Sequence, residues 1–412
     1  MIGVHKQHGR YYCNRCGNTK QRYFANYFDM YLSKTMTYCR LCTNENQANT
    51  VEELCATKTK LGAMEDFALT LPFPLTQYQK QAVWHIRGYL QAGCFLMLQA
   101  VCGAGKTEIM VAVIARYLKA QKTVGWAIAR RDVVIEIAAR LKEYFPKTAI
   151  IALYQDSPDL DKAGQLIVLT TARVYDFYQF FDLLIIDEND AFPFSIDERQ
   201  KFAARQSVVP TGMSIHISAT VETRAKRDYD YIESLAYRFH KFMLPTITFQ
   251  YYNLQKDLRT NKLSKAVRAK LDMWQAQQLP VFIFVSNKKL GRDFTKILQQ
   301  YYQPQRVQFV SSDIVDRTPI LQAVHAGELS ILVTTTILER GVTYKGLQVI
   351  VLDADATIFD AQTLIQIAGR VGRNIAMPTG EIIFCYQNNY TNAMKKARLY
   401  HQKANQGEVI FL

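Results

Sequence analysis

Two short stretches carry residues that suit phosphate chemistry: Ala100-Val-Cys-Gly-Ala-Gly-Lys-Thr107 and Gln366-Ile-Ala-Gly-Arg-Val-Gly-Arg373. In the first, a strand-like run ends in a glycine-rich loop that opens a helix, so backbone N–H groups of Gly103, Ala104 and Gly105 point at phosphate oxygens. Lys106 reaches the β- and γ-phosphates, the Thr107 hydroxyl ligates Mg²⁺, and Glu108 closes the set of nucleotide-holding candidates. Ala100 stands where the strict phosphate-loop pattern has its first glycine. In the second stretch Arg370 and Arg373 are three apart on a helical pattern, which predicts one shared face. A guanidinium fork matches phosphate oxygens. Gln366, one turn earlier, is placed to contact the nucleotide or the attacking water, and Gly369 and Gly372 allow close approach. Together the two stretches predict ATP held between two lobes.

Between them, Asp187-Glu188-Asn189-Asp190 follows the apolar run Leu183–Ile186. Carboxylates at the C-terminal end of a central parallel strand face the ligand crevice. There Asp187 holds Mg²⁺ and Glu188 orients the attacking water; without a phosphate loop upstream the same four residues read as an acidic turn. Upstream, Gln79 reads either as an amide that pairs with an adenine edge or as a solvated polar residue at a helix start.

Four cysteines fall as Cys13-x2-Cys16 and Cys39-x2-Cys42. Two such knuckles supply four thiolates at the spacing of structural zinc, with Gly17-Asn18 giving the first its turn. Zinc here would supply on the order of 10–16 kcal/mol, most of the folding energy of so small a module. Cys55 has the wrong spacing for a knuckle, and Cys94, Cys102 and Cys385 read as core. Residues 1–62 carry nine Lys/Arg against four Asp/Glu. Aromatics such as Tyr11, Tyr23, Phe24, Tyr27 and Tyr31 are interleaved with them, as in modules that stack single-stranded bases, though some must form the module's own core.

The elements that position these groups follow from periodicity. Runs such as Cys94–Ala100, Val124–Ala129, Leu166–Thr171 and Ser214–Thr220 suit buried parallel strands. Amphipathic stretches Lys106–Lys119 and Asp132–Tyr144 lie between them. A second series (281–287, 306–312, 331–336, 348–355, 381–386) alternates with the helical patterns Lys289–Tyr302 and Thr363–Val371. The prediction is α/β: two successive parallel-sheet lobes with right-handed crossovers. The expected domains are 1–62, 63–243 and 244–412, joined around the aperiodic basic stretch Phe239–Ser264.

The 412 residues allow two or three domains, and 49% hydrophobic content argues against wholesale disorder. A net charge of +14 favours a polyanionic partner, either nucleic acid or an anionic membrane surface. No apolar run is long enough to span a bilayer, and the first residues have no secretory h-region, so the expected location is cytoplasmic.

In order along residues 75–373, Leu75-Thr-Gln-Tyr-Gln79, the phosphate loop, Ala129-Arg-Arg-Asp132, Leu169-Thr-Thr-Ala172, the acidic box, Ser218-Ala-Thr220, Thr334–Val342 and the arginine motif resemble the motifs of superfamily 2 nucleic-acid helicases. The four-cysteine module ahead of that core, the run Phe181–Phe194 (FDLLIIDENDAFPF) and Thr334–Tyr344 (TTTILERGVTY) are similar to the ComFA family, late-competence DNA-uptake ATPases of Gram-positive bacteria. Asn189 departs from the small apolar residues usual in its place.

The resemblance implies two RecA-like lobes of a phosphate-loop NTPase behind a zinc-ribbon-like module. It implies a DNA-stimulated ATPase using ATP, Mg²⁺ and Zn²⁺ to draw single-stranded DNA through a channel at the inner face of the membrane. Lys106, Thr107, Asp187, Glu188, Gln366, Arg370 and Arg373 then carry the chemistry. Ser218, Thr220 and Gly341 couple hydrolysis to lobe movement, and Arg130, Arg131, Thr171 and Thr335 fall in motif classes that touch the strand. Family partners are ComFC and DprA, and the resemblance leaves room for self-association. Two other readings stay open: a restart- or repair-type DNA helicase, and a nucleic-acid-binding scaffold switched by ATP.

Overall fold

The computed structural model describes residues 1–42, 48–54, 68–71, 74–89, 93–221, 223–314, 318–336 and 344–411. The expectations for Gly341 and Cys55, and the boundary placed at residues 62 and 63, lie outside the described residues.

The chain opens with two antiparallel hairpins, β1 (Val4–Gln7) with β2 (Arg10–Cys13) and β3 (Phe24–Asp29) with β4 (Lys34–Cys39). There follow α1 (Gln77–Gly88), β5 (Phe95–Ala100), α2 (Lys106–Lys119), β6 (Val124–Ile128), α3 (Arg131–Tyr144), β7 (Ile150–Leu153), β8 (Leu166–Thr170), β9 (Phe181–Asp187), α4 (Glu198–Ser207), β10 (Val208–Ser218) and β11 (Tyr231–Leu235). The second half is β12 (Ile247–Tyr251), α5 (Leu254–Thr260), α6 (Lys265–Ala276), β13 (Val281–Phe284), α7 (Lys288–Leu298), β14 (Val307–Val310), α8 (Thr318–Ala326), β15 (Ile331–Thr334), β16 (Gln348–Val351), α9 (Ala361–Ala368), β17 (Ile382–Tyr386) and α10 (Asn392–Asn405).

Two sheets result, one of seven strands ordered β11-β5-β10-β9-β6-β8-β7 and one of six ordered β12-β17-β16-β13-β15-β14. The ladders among β6 to β10 and throughout the second sheet are parallel. Strands buried on both faces must be apolar throughout, and β6 and β13 are fully buried along their length. Two RecA-like lobes, as expected, are the outcome.

The chain divides into two compact units. The first comprises Met1–Leu98, Lys106–Ser218 and Ala225–Glu233; the second comprises Gln99–Gly105, Ala219–Arg224 and Ser234–Leu412. The chain therefore crosses between units at both ends of the phosphate loop and within Ser218-Ala219-Thr220. In the first unit the cysteine module is not a self-contained bead. Its four cysteines share one buried cluster with Phe181, Leu184, Ile186, Phe194, Ala203 and Ala204 of the lobe. The core of the second unit gathers Trp274, Phe294, Ile331, Val333 and Ile350 around the central strands.

The aperiodic stretch expected as the join is itself structured. It holds β12, paired in register with β17, and α5, whose Asn253 caps its start. Asp257 accepts from the Tyr252 hydroxyl at 2.7 Å and from the Ser264 N–H at 2.7 Å, which pins the end of the segment.

Candidate functional site

Strand register explains why the chemical groups of the first unit converge. Asp187 ends β9 opposite Ile128 of β6 and Ile217 of β10, and Ile128 in turn faces Thr170 of β8. Arg130, Thr171, Glu188 and Ser218 therefore all sit at or just past the same C-terminal edge. In open parallel sheets this is the edge that binds ligands.

The phosphate loop leaves β5 after Ala100, and α2 begins at Lys106 as the sequence predicts. Gly103 and Gly105 hold φ of +85° and +78°, left-handed values that favour glycine. Burial pushes the Asp187 carboxyl up to about 6, the Glu188 carboxylate adds to the rise, and the Lys106 ammonium opposes it. Lys106 and Asp187, 81 positions apart in sequence, are thus brought within electrostatic reach. A carboxylate held back by burial, beside a helix that starts Lys106-Thr107, fits a divalent cation: the ion's charge would restore what burial removes.

Glu188 adopts φ +52°, unusual for a residue with a side chain. Three hydrogen bonds impose it. The Glu188 N–H donates to Asp187 Oδ1 at 2.9 Å, Ala191 N–H donates to the Glu188 carbonyl at 2.7 Å, and Asn189 N–H donates to the Ile217 carbonyl at 3.2 Å. Asn189, the odd residue of the box, also donates its amide to the Tyr229 hydroxyl at 2.9 Å, and that hydroxyl shares a hydrogen bond of 3.1 Å with His216 Nδ1. An apolar residue at 189 would leave that tyrosine without the amide. Sequence reading missed Tyr229 and His216, and only the anomaly at Asn189 pointed to them.

Gln79 is neither solvated nor loosely placed. It is buried, and its Oε1 accepts from the Thr76 N–H at 2.9 Å while Thr76 Oγ1 caps the Gln79 N–H. This reciprocal capping box was legible as Thr76-x-x-Gln79.

In the second unit α9 stops at Ala368, so Arg370 and Arg373 lie in the turn beyond it and do not share a helical face as expected. The helix is capped at Gly369; beyond it Gly372 holds φ +69°, and a Cβ there would come 2.2 Å from the Pro378 carbonyl oxygen. Gly369 lies so close to Cys102 that a Cβ would fall 2.6 Å from its sulfur. Arg370 is 1% exposed and Gln366 is also buried, while Arg373 is partly exposed and its Nε donates to the Gly369 carbonyl at 2.7 Å. One arginine nearby was missed altogether. Arg238 is 2% exposed and donates to the carbonyls of Val371 at 2.8 Å and Gly372 at 2.7 Å. In sequence it stands just ahead of the basic aperiodic stretch, where nothing separates it from a solvated arginine.

The strand-contact candidates are placed unevenly. Arg130 donates its Nε to Asp132 Oδ1 at 3.1 Å, and Arg131 stacks 4.7 Å over the ring of Tyr154. Thr171, Ser218 and Thr220 are buried, and Thr335 is half-buried.

The cysteine centre forms where the two hairpins end. Cys13 ends β2 opposite Val4, and Cys39 ends β4 opposite Phe24. The turn after Cys13 is closed by the Gly17 N–H on the Cys13 carbonyl, with Gly17 at φ +70°; a 3-10 turn carries Cys42. All four thiols are buried, with Cys13 and Cys42 sulfurs 3.7 Å apart and Cys16 and Cys39 sulfurs 3.7 Å apart. Four sulfurs bonded to one tetrahedral zinc at about 2.3 Å stand about 3.8 Å from one another. The sulfur spacing therefore fits zinc. A disulfide needs about 2.05 Å.

The comparisons with known proteins agree with this architecture. Residues 1–56 match the Competence protein ComFA N-terminal domain, residues 72–223 the Type III restriction enzyme, res subunit, and residues 261–375 the Helicase conserved C-terminal domain. The chain is similar in structure to Dbp5 from S. cerevisiae, solved with RNA and ADP BeF3. The TM-score is 0.58 at 15% identity over 82% of this chain and 94% of that one, a likeness of fold alone. It is 32% identical to Competence protein ComFA of Bacillus subtilis over 98% of this chain and 87% of that protein. It is also 32% identical to Competence protein ComFA of Streptococcus pneumoniae, over 96% of this chain and 91% of that one. The chain, with its buried four-cysteine centre ahead of a superfamily 2 helicase core, belongs to the ComFA family of competence proteins.

Proposed function

We propose that the chain is an ATP-driven translocase on single-stranded DNA that serves DNA uptake in natural competence, with ATP hydrolysed between the two lobes. The observation that carries the reading is the gathering of Lys106, Asp187 and Glu188 at one sheet edge, in a member of the ComFA family.

Lys106 neutralises the β- and γ-phosphate oxygens, and the N–H groups of the loop to Gly105 cradle them. Thr107 and Asp187 hold Mg²⁺, which supplies further positive charge on the phosphates. Glu188, fixed by its left-handed backbone, orients the attacking water. Arg373 and Arg370 meet the charge that develops on the transferred phosphoryl group, a contribution on the order of 10³–10⁵ in rate. Loss of the γ-phosphate removes the anion that those arginines hold, so the lobes relax apart. Ser218 and Thr220, where the chain crosses between units, transmit that movement.

Arg130, Arg131 and Thr335 grip the strand backbone, and closure that serves ATP also serves DNA, so each ligand favours the other. ComFC and DprA, carried by the family resemblance, belong to this reading as partners. The test is steady-state ATP hydrolysis by the purified protein alone and with length-matched single-stranded DNA, duplex DNA and RNA. Stimulation by single-stranded DNA above the other two supports the reading; equal stimulation by all three returns the chain to the general helicases.

A further inference from the structure

The segment Leu235–His240 carries no motif, yet it is laced to two motifs at once. Val101 N–H donates to the Leu235 carbonyl at 3.0 Å, and Phe239 N–H donates to the Gly103 carbonyl at 3.0 Å, so the segment runs along the phosphate loop. From its middle Arg238 reaches the other way. Nη2 donates to the Val371 carbonyl at 2.8 Å and Nη1 to the Gly372 carbonyl at 2.7 Å, in the turn that displays Arg373. His240 Nε2 adds a bond of 3.2 Å to the same Gly372 carbonyl. The stem of Arg238 covers the loop: a Cβ at Gly103 would meet its Cγ, Cδ and Nε at 3.5–3.6 Å. Loop, segment and turn all fall within the second compact unit.

This arrangement is more than a packing choice. A guanidinium at 2% exposure has lost its hydration, and no carboxylate among the described residues pairs with it. Its partners are two carbonyls, and Nε meets no acceptor among the described residues. A neutral side chain would fill the space at lower cost. What only arginine offers is a rigid fork whose two ends reach two successive carbonyls while the stem lies on a third element.

We propose that Arg238 is a positioning residue for ATP hydrolysis. It clasps the turn that displays Arg373 and holds it in register with the phosphate loop, so that Arg373 is set for the transition state. The inference rests on the reading of Arg373 as a finger. It adds that the finger is aimed from a segment outside the motifs, and that loop and turn respond to nucleotide as one piece.

The test uses the full-length protein, its metal retained, and the variants Arg238→Lys, Arg373→Ala and the double substitution. Lysine keeps the charge but gathers its donors on one nitrogen, so it lacks the fork that meets the two carbonyls from Nη1 and Nη2. The expected result for Arg238→Lys is a kcat reduced on the order of 10–100-fold with KM for ATP within about threefold of wild type, as when an interaction made in the transition state is lost. The double variant should match Arg373→Ala within about twofold, because both act through one group. An Arg238→Lys enzyme with wild-type kcat, or losses that multiply in the double variant, would overturn the inference. An Arg373→Ala enzyme with undiminished kcat would instead sink the reading beneath it. Should Arg238→Lys fail to fold, hydrogen exchange on the wild type decides. Binding of a non-hydrolysable ATP analogue should slow exchange in 235–240 and 369–373 together, and slowing of 369–373 alone contradicts the clasp.

Discussion

Gly17, in the turn after the first cysteine knuckle, lies against the ring of Phe202 on α4, where a Cβ would fall 2.6 Å from Cγ and Cδ2. Arg199 of the same helix donates to the Leu41 carbonyl at 2.9 Å, next to Cys42. The cysteine module is therefore docked on the lobe by backbone and ring contacts that tolerate no added atom. Gly17→Ala meets both a left-handed φ and a filled site, costs that run to about 1–2 and 1–3 kcal/mol. Thermal unfolding of the metal-loaded protein should shift down by several degrees; a melting curve superimposable on wild type would contradict the docking.

Because the four cysteines share a core with Phe181, Ile186 and Phe194, loss of metal should not stay local. Cys13→Ser with Cys16→Ser should abolish zinc in metal analysis and loosen β9 and α4 as well as the hairpins. Hydrogen exchange reads this directly, and faster exchange confined to residues 1–54 would show that the lobe does not depend on the centre.

Lys106→Ala removes the ammonium that opposes the rise of the Asp187 carboxyl and that would meet the phosphates. ATP turnover should fall by at least about a hundredfold, since the charge acts in a partly buried site. The melting temperature should stay close to wild type, because Lys106 is not part of the core. Unchanged turnover would remove the phosphate-loop assignment.

Two histidines make stability depend on pH. Burial lowers the pKa of His401 to about 4 and of His216 to about 3, against a value near 6.5 in an unfolded chain. Between those limits the unfolded chain binds protons that the folded chain refuses, so stability is full above pH of about 6.5 and falls as pH drops towards 4 and 3. For His401 the loss from pH 7 to 5 is about 2 kcal/mol. His401→Gln, placed to keep the donation to the Pro245 carbonyl, should flatten that slope in thermal unfolding measured across the range.

Much of this was legible because periodicity and catalytic spacing are local. Lys106–Lys119 is predicted and found with the same ends, since its start is fixed by the loop and its face by apolar spacing. The cysteine centre follows from two knuckles. What escaped depends on partners far away in sequence. Thr363–Val371 reads as helix, but the helix stops at Ala368, and Gly369 and Gly372 beyond it lie against Cys102 and Pro378 with no room for a Cβ. The strand β12 does alternate (Ile247-Thr-Phe-Gln-Tyr251), but the run is only five residues long in a stretch with no sustained period, and its place is set by pairing with β17, well over a hundred residues on. Arg238 and Tyr229 gain their roles only from the carbonyls and the amide that the fold brings to them.

The central claim is that hydrolysis moves the protein along a single strand. The direct measurement is ATP-driven displacement of streptavidin from either end of biotinylated single-stranded DNA, with Glu188→Gln as the control that binds ATP and DNA. Wild type should clear streptavidin from one end only, with ATP, and the Glu188→Gln protein from neither. DNA-stimulated hydrolysis by wild type without displacement from either end would contradict the motor and leave an ATP-switched scaffold.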